Sequence, residues 1–569
     1  MKPRPKTGQG MRLDLSPIHG VVAPIRERRE LGGDRVIGRL VSLNGAEGVI
    51  ACELSPSEVG DHWSVGHLIS IVHQHARLVG VVCELSTIDR RWNETAANVA
   101  YVKVELSGEI IDDDDGAPRF FRGIRSYPAL GAVAHRIRAD DLKAIYAFRG
   151  ADGVVIGTLT QNANLTAAVS VDELVTRHFA VIGSTGVGKT TAVSILIKKC
   201  LSQRPKLRTL IIDPHNEYAR HFPKESVVLT SDNLELPYWM FRFEEIADII
   251  YSGRKANSDE LDALYDAIKT AKTQFIASSA SMIAASPLRR ANPTESGWIS
   301  ADTPVPYRVA DMVHIIDEWL GKLDQRYPRS DLRALKYRLE TLSRDPRFKF
   351  MFGRVVVEDN MAKVIARIFR LPKAGQPVTI VQLAGLPNEV VNSLVSVLAR
   401  MAFEIALWSD GAYEIAVVCE EAHRYIPTDQ SQAFGPTRTA IGRIAKEGRK
   451  YGVSLGIVTQ RPSELDATVL SQCSTMFAMR LSNETDKAIV RSAVGVSSAS
   501  TIAFLSSIAD REAIAFGEAI ASPMRMKFSD YRDDSARPAF TGDPEPNLAH
   551  LDLRKIVCRL RGEYSPETT

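Results

Sequence analysis

Arg177-His-Phe-Ala-Val-Ile-Gly-Ser-Thr-Gly-Val-Gly-Lys-Thr-Thr191 is the stretch on which the fold turns. A short apolar run, Phe179 to Ile182, opens into a glycine-rich loop with the spacing Gly183-x4-Gly188-Lys189-Thr190. That spacing spells a phosphate-cradling P-loop. Small residues let the backbone turn so that successive N–H groups face an anion, and the start of the next helix adds its positive dipole end. The expected cradle is Gly183, Ser184, Thr185, Gly186, Val187, Gly188, Lys189, Thr190 and Thr191, with Lys189 on the β- and γ-phosphates and Thr190 on Mg²⁺. An ordinary glycine-rich turn is the alternative, but the flanks favour the cradle. Phe179 to Ile182 reads as a buried strand, and Thr191 to Lys199 sets Ala192, Ile195 and Leu196 on one helical face.

At 569 residues the chain exceeds what one hydrophobic core supports, so two or three domains are expected. Hydrophobic content of 45% with 24% charged residues is that of a soluble globular protein, and no run of 18 apolar residues offers a membrane span. Met1-Lys-Pro-Arg-Pro-Lys6 lacks the apolar core of a secretory signal, so a cytoplasmic location is expected. The six cysteines form no CxxC pair, which argues against a zinc site and a disulfide framework. A net charge of +3 is too small to mark a nucleic-acid protein, so any such contact must come from local clusters.

Residues 1–32, rich in Pro, Arg and Gly, read as an N-terminal arm. Short β-branched or alternating runs at Val36–Val41, Gly48–Cys52, Leu68–His73, Leu78–Leu85 and Val102–Leu106 follow, and the region 33–170 is expected to be a small β-barrel domain. Asp112–Asp115 could suggest a metal site, but four adjacent carboxylates before Gly116 more often form a solvated loop. A last barrel-side strand is expected at Val154–Leu159. Residues 171–530 form the expected ATPase domain, with a helical insertion over about 240–347 and a polar tail at 531–569 that holds an amphipathic piece, Leu551–Leu560. Late in the insertion lie Arg326, Arg329, Arg333, Lys336, Arg338, Arg344, Arg347 and Lys349; they suit either nucleic-acid phosphates or a solvated helix face. Strand–helix alternation with apolar strands at Thr209–Asp213, Val378–Leu383, Glu414–Cys419 and Ser454–Thr459 implies an α/β fold with a mostly parallel, doubly covered sheet.

Hydrolysis of a nucleotide also needs Mg²⁺ held and a water placed in line with the γ-phosphate. Glu420-Glu421, at the end of the apolar strand Glu414–Cys419, has the Walker B arrangement: Glu420 orients Mg²⁺ and Glu421 polarises the water. A surface Glu-Glu turn is the competing reading. Glutamate stands at the first position where aspartate is more usual. Gln460, closing the strand after Thr459, suits a sensor of the γ-phosphate. Asp213 and Glu217 end the strand after the P-loop helix; they either assist the site or are ordinary strand-end turn residues. On the basic helix Thr437–Lys450, Arg449 is the candidate for an arginine reaching a neighbouring subunit's site, ahead of Arg443 and Arg461.

With these residues assembled, the chain resembles the HerA family of hexameric ATPases, within the wider HerA–FtsK group of DNA translocases. The resemblance runs through His178-Phe-Ala-Val-Ile-Gly-Ser-Thr-Gly-Val-Gly-Lys189, Asp213-Pro-His-Asn-Glu-Tyr218, Val417-Val-Cys-Glu-Glu-Ala-His423, Glu447-Gly-Arg-Lys-Tyr-Gly452 and Val458-Thr-Gln-Arg-Pro462, in that order. It implies a β-barrel before a RecA-like P-loop core with a helical insertion, a six-membered ring, ATP and Mg²⁺ as cofactors, and ATP-driven movement on double-stranded DNA. Family members work with nuclease partners in DNA end processing, and some bacterial relatives act in antiviral defence with sirtuin-like or nuclease effectors. Asn216, where glycine is frequent, and Glu420 depart from the family pattern. Two other functions compete: an ATP-stabilised oligomeric scaffold for a partner effector, and a conjugation-type pump, which usually needs a membrane anchor.

Overall fold

Short strands separated by turn residues and strands joined through helices build different sheets, and the chain contains one of each. The computed structural model describes residues 35–54, 64–87, 92–95, 97–146, 152–251, 254, 256–284, 299–322, 326–353, 359–371, 375–429, 434–493, 505–530 and 553–562. These fall into two compact units, parted between Tyr146 and Asp152. The expected arm at 1–32 and most of the expected tail lie outside the described residues.

The first unit is a closed barrel. Strands β1 (Val36–Asn44), β2 (Glu47–Leu54), β3 (Leu68–His73), β4 (Ala76–Thr87), β5 (Asn98–Asp112) and β7 (Val133–Arg136) run in the order β2-β1-β7-β3-β4-β5, and β5 pairs back onto β2. Every pairing is antiparallel, and β6 (Pro118–Arg122) extends from β5 outside the ring. The inward set of the alternating strands, including Leu40, Ile50, Ile71, Leu78, Val102 and Val104, is fully buried. Closure leaves no open edge in the ring. Helix α1 (Ala139–Tyr146) is tied on by Arg77, which bonds both Asp141 (2.8 Å) and Asp112 (2.6 Å). Asp113 accepts the Ala117 N–H at 2.8 Å, so two of the clustered carboxylates have ordinary loop work.

The second unit holds an eleven-stranded sheet in the order β12-β13-β11-β14-β15-β10-β16-β17-β18-β8-β9. Its members are β8 (Gly153–Leu159), β9 (Thr166–Ser170), β10 (His178–Ile182), β11 (Leu207–Asp213), β12 (Ser226–Leu229), β13 (Val378–Gln382), β14 (Glu414–Cys419), β15 (Val453–Thr459), β16 (Cys473–Ala478), β17 (Glu512–Gly517) and β18 (Met524–Phe528). The run from β12 to β16 is parallel, and the remaining four strands add on antiparallel. The first helix against it is α2 (Val171–Thr176), and α3 (Lys189–Gln203) follows the P-loop. One domain boundary differs from expectation: β8 and β9 belong to this sheet and not to the barrel, because Leu159 pairs with Met526 across the β8–β18 edge. A strand's own alternation does not say which sheet edge it joins.

Between β12 and β13 lie α4 (Phe243–Tyr251), α5 (Ser258–Ala284), α6 (Val309–Gly321), α7 (Arg329–Arg344) and α8 (Met361–Phe369), so the helical insertion runs past its expected end at 347. Arg400, on α9 (Asn388–Trp408), anchors it: the guanidinium bonds Glu245 of α4 at 3.1 Å and Glu404 at 3.2 Å. Four of the basic residues read as possible phosphate contacts are engaged within the insertion: Arg326 with Asp266, Lys336 with Asp317, Arg347 with Asp345, and Arg338 over the Tyr251 ring. Val390–Trp408 has the length and hydropathy to cross a bilayer, yet 78% of its apolar window is buried inside the fold. It is the core helix under the sheet. Helix α10 (Gly435–Tyr451) packs against α9, α11 (Glu484–Ala493) follows β16, and the amphipathic piece expected near the end is α12 (Leu553–Arg561), with Ile556 and Val557 buried.

Candidate ATP site

Parallel register brings the expected motifs to one edge. Ile182 of β10 stands opposite Thr459 of β15, Cys419 of β14 opposite Ile457, and Ile212 of β11 opposite Cys419. Gly183, Gln460, Glu420 and Asp213 therefore leave the carboxyl ends of neighbouring strands, where open α/β sheets bind ligands. Gly186 (φ 81°) and Gly188 (φ 101°) take left-handed backbone that side chains resist, and Gly188 serves as N-cap of α3. Ser184 N–H donates to the Arg480 carbonyl at 2.9 Å. Thr185 Oγ1 donates to Gln460 Oε1, so the proposed sensor touches the loop directly. Lys189 is 8% exposed, and its ammonium donates to the Ser184 carbonyl at 3.1 Å. Thr191 follows in the first turn of α3.

The acidic side is more constrained than spacing suggested. Asp213 is fully buried, and its carboxylate accepts the backbone N–H groups of His215 (3.3 Å), Glu217 (3.2 Å) and Tyr218 (3.0 Å). Burial raises its pKa while those N–H groups oppose the shift. Asp213 thus shapes the loop, and within that loop Glu217 accepts the Thr190 hydroxyl at 2.6 Å. Asn216 sits at φ 59°, which explains why glycine suits this position and why asparagine can replace it.

Glu420 is 4% exposed, and burial pushes its pKa up to about 7 against the opposing pull of the Tyr218 hydroxyl bond and the Lys189 charge. Tyr218 donates that hydroxyl to Glu420 Oε2. Glu421 has left-handed backbone (φ 51°), a conformation that costs a non-glycine residue about 1 kcal/mol. Its Oε2 is buried without a hydrogen bond. His423 Nδ1 lies 3.2 Å from that oxygen and 3.0 Å from the Thr459 hydroxyl, and burial lowers the His423 pKa, which favours the neutral ring over an ion pair.

The residues fit a nucleotide with a divalent cation. A phosphate would replace the Ser184 carbonyl as the partner of Lys189, and Thr190 keeps lone pairs for a cation while donating to Glu217. No three His, Cys, Asp or Glu side chains among the described residues converge on a metal by themselves. A cation beside Thr190 and Glu420 would therefore draw the rest of its shell from phosphate oxygens and water.

The arginines separate. Arg443 lies 4.2 Å from the Phe403 ring centroid, and Arg461 pairs with Glu464 at 2.9 Å. Arg449 is exposed near the end of α10, with no ion pair or hydrogen bond among the described residues. Behind the loop, His178 accepts the Leu455 N–H at Nδ1 (3.0 Å), which leaves Nε2–H to donate to the Ala445 carbonyl (3.0 Å) and ties the P-loop strand to α10. Sequence reasoning gave no role to Tyr218, His423 or Arg511. Tyr218 and His423 stood inside the recognised motifs, whereas Arg511 carries no motif signal. Its backbone N–H donates to the Val187 carbonyl at 2.9 Å.

Residues 154–402 match the family model described as Helicase HerA, central domain. The chain has a HerA-type central domain. It is 26% identical over 448 residues to the DNA double-strand break repair helicase HerA of Pyrococcus furiosus, covering 71% of this chain and 74% of that protein. A protein of the same description from Sulfolobus acidocaldarius is 24% identical, covering 75% of this chain and 80% of its own length. Among solved structures, VirB4 of Thermoanaerobacter pseudethanolicus aligns with a TM-score of 0.46 at 14% identity, over 67% of this chain and 98% of that one. The chain is a P-loop ATPase, with a mostly parallel α/β core that follows a β-barrel in sequence.

Proposed function

We propose that this ATPase is one subunit of a six-membered ring that moves on double-stranded DNA by hydrolysing ATP with Mg²⁺. In this reading it drives a nuclease or sirtuin-like effector partner in DNA processing or antiviral defence, as the family resemblance implies. The observation that carries the motor reading is the convergence of Lys189, Glu420, Glu421 and Gln460 on one sheet edge in a HerA-type core. The two HerA relatives are described as DNA double-strand break repair helicases, and that supports DNA as the track.

Bound Mg²⁺ supplies neutralisation of charge on the phosphate oxygens. Lys189 holds the β- and γ-phosphates, and Thr190 with Glu420 positions the ion. Glu421 takes a proton from the attacking water: its free, buried Oε2 has no protein hydrogen bond to break first. Gln460, already on Thr185, reads whether the γ-phosphate is present. Arg449, exposed and without a side-chain partner among the described residues, is available to a neighbouring subunit's site.

Glu421→Gln tests the reading. Nucleotide binding and assembly should persist while turnover falls by roughly 10²- to 10⁴-fold, the contribution of a positioned general base. If that protein keeps full biological activity with its partner, the scaffold reading replaces the motor. Duplex DNA should stimulate the wild-type ATPase at low salt, where phosphate contacts are strongest. Absence of stimulation there overturns translocation.

A further inference from the structure

Sheet order gives the site a direction. Gln460, Glu420 and Glu217 come from the β15, β14 and β11 side of the P-loop strand, the side that faces the γ-phosphate in the reading above. A nucleotide laid along the loop must then leave its nucleoside end toward the other flank, where β16 and β17 stand. That flank is built by Arg480, which pairs with Asp510 at 2.7 Å, and by Arg511, which pairs with Asp530.

Arg511 is held there unusually firmly. Its backbone is left-handed at φ 63°, its N–H donates to the Val187 carbonyl, and its own carbonyl accepts the Phe528 N–H at 2.9 Å. A Cβ placed on Gly188 would come within 2.9 Å of Arg511 Cγ, so the arginine stem lies against the last glycine of the cradle. Yet its charged end is loosely committed. The side chains of Arg511 and Asp530 are 40% and 59% exposed, and an exposed pair of this kind contributes only about 0–1 kcal/mol. An arginine–phosphate contact is shorter and stronger than such a surface pair.

We propose, on the reading that a nucleotide occupies the P-loop, that Arg511 grips its nucleoside end at the α-phosphate and sugar, and that the guanidinium leaves Asp530 to do so. Arg511 is thus a nucleotide-binding residue contributed by the antiparallel extension of the sheet. Asp530 competes for it.

Calorimetric titration with ADP and steady-state kinetics with ATP test this on the full-length protein. Arg511→Met keeps an apolar stem over Gly188 and removes the guanidinium. It should raise the Kd for ADP and the KM for ATP by about tenfold or more, the usual value of a hydrogen bond to a charged group, with little change in kcat. Arg511→Lys should recover part of the loss, and Asp530→Asn should tighten ADP binding. Unchanged ADP affinity in Arg511→Met overturns the role of Arg511, and unchanged or weaker ADP binding in Asp530→Asn overturns the exchange. If Arg511→Met does not fold, Asp530→Asn alone decides the matter in the same way. Wild-type protein that binds no ADP would overturn the nucleotide reading and this one with it, whereas loss confined to the Arg511 variants supports both.

Discussion

Lys189 is the side chain whose loss should be simplest to read. Its stem is buried and, among the described residues, its ammonium donates to a carbonyl of its own loop, so it is poised for phosphate and its loss breaks no hydrogen bond to another element. Lys189→Ala should abolish ATP turnover while leaving the melting temperature near that of the wild type; a variant that hydrolyses ATP normally would sink the site assignment. Tyr218 acts through Glu420. Its hydroxyl stabilises the charged carboxylate, whose pKa burial has already pushed up to about 7. Tyr218→Phe removes that stabilisation, so the Glu420 pKa rises further and a higher pH is needed to ionise it. The acid limb of the ATPase pH profile should move to higher pH, with a loss of about two- to tenfold at pH 7, the range for one hydrogen bond. A superimposable profile would show that Tyr218 does not tune Glu420. Of these two residues, only Lys189 could be assigned from spacing. The role of Tyr218 depends on a loop turned by Asp213, whose three backbone acceptances are invisible in the letters Asp-Pro-His-Asn-Glu-Tyr.

At the scale of elements, the helical insertion contains a buried cation that periodicity hides. Lys272 on α5 is fully buried, donates to the Ala301 and Thr303 carbonyls at 2.6 Å each, and lies 5.5 Å from the Tyr307 ring centroid. Burial lowers its pKa to about 7, with Asp302 opposing the shift. Between that value and the ordinary lysine value of 10.5, the folded protein binds fewer protons than the unfolded chain. This group therefore makes stability rise with pH from about 7 to about 10. Thermal melts at pH 7, 8 and 9 should show that rise attenuated in Lys272→Met; an identical slope in both proteins would count against it. The neighbouring Arg400 network, by contrast, places a charge beside two carboxylates, so removing it leaves the buried Glu245 without its cation, while Glu404 keeps Arg242 at 2.8 Å. Arg400→Met should cost about 3–5 kcal/mol in denaturant unfolding, as for breaking a buried ion pair from one side.

For the whole molecule, the decisive matter is whether each site is completed by a second copy. Among the described residues Arg449 has no side-chain partner, while Arg443 and Arg461 are engaged locally. Lys189→Ala and Arg449→Ala proteins should each be inactive alone. Mixed during assembly, they should recover about a quarter of wild-type activity if Arg449 acts on a neighbour's site as proposed, because half the subunits keep the P-loop and half of their neighbours keep Arg449. No recovery in mixed assemblies of confirmed stoichiometry would remove Arg449 from the intersubunit role. A native mass measurement on the same samples reports the number of subunits directly.

Spacing by itself determined the P-loop sequence, the place of the Glu420-Glu421 pair at a strand end, five of the six ring strands and the parallel core, because each depends on backbone choices made within a few residues, whereas β7 (Val133–Arg136), which closes the ring between β1 and β3, was not legible. Apolar strands followed by helices have few ways to pack other than a parallel sheet with ligands at its carboxyl edge. Tertiary structure decided what depends on pairing across long separations. It moved β8 and β9 out of the barrel by joining Leu159 to Met526, and it gave Asp213 its loop. It also left Glu421 Oε2 unbonded and set Arg511 against Gly188 from more than three hundred residues downstream. Local pattern records which face of a strand is buried, and only the closed sheet determines which strand lies beside it.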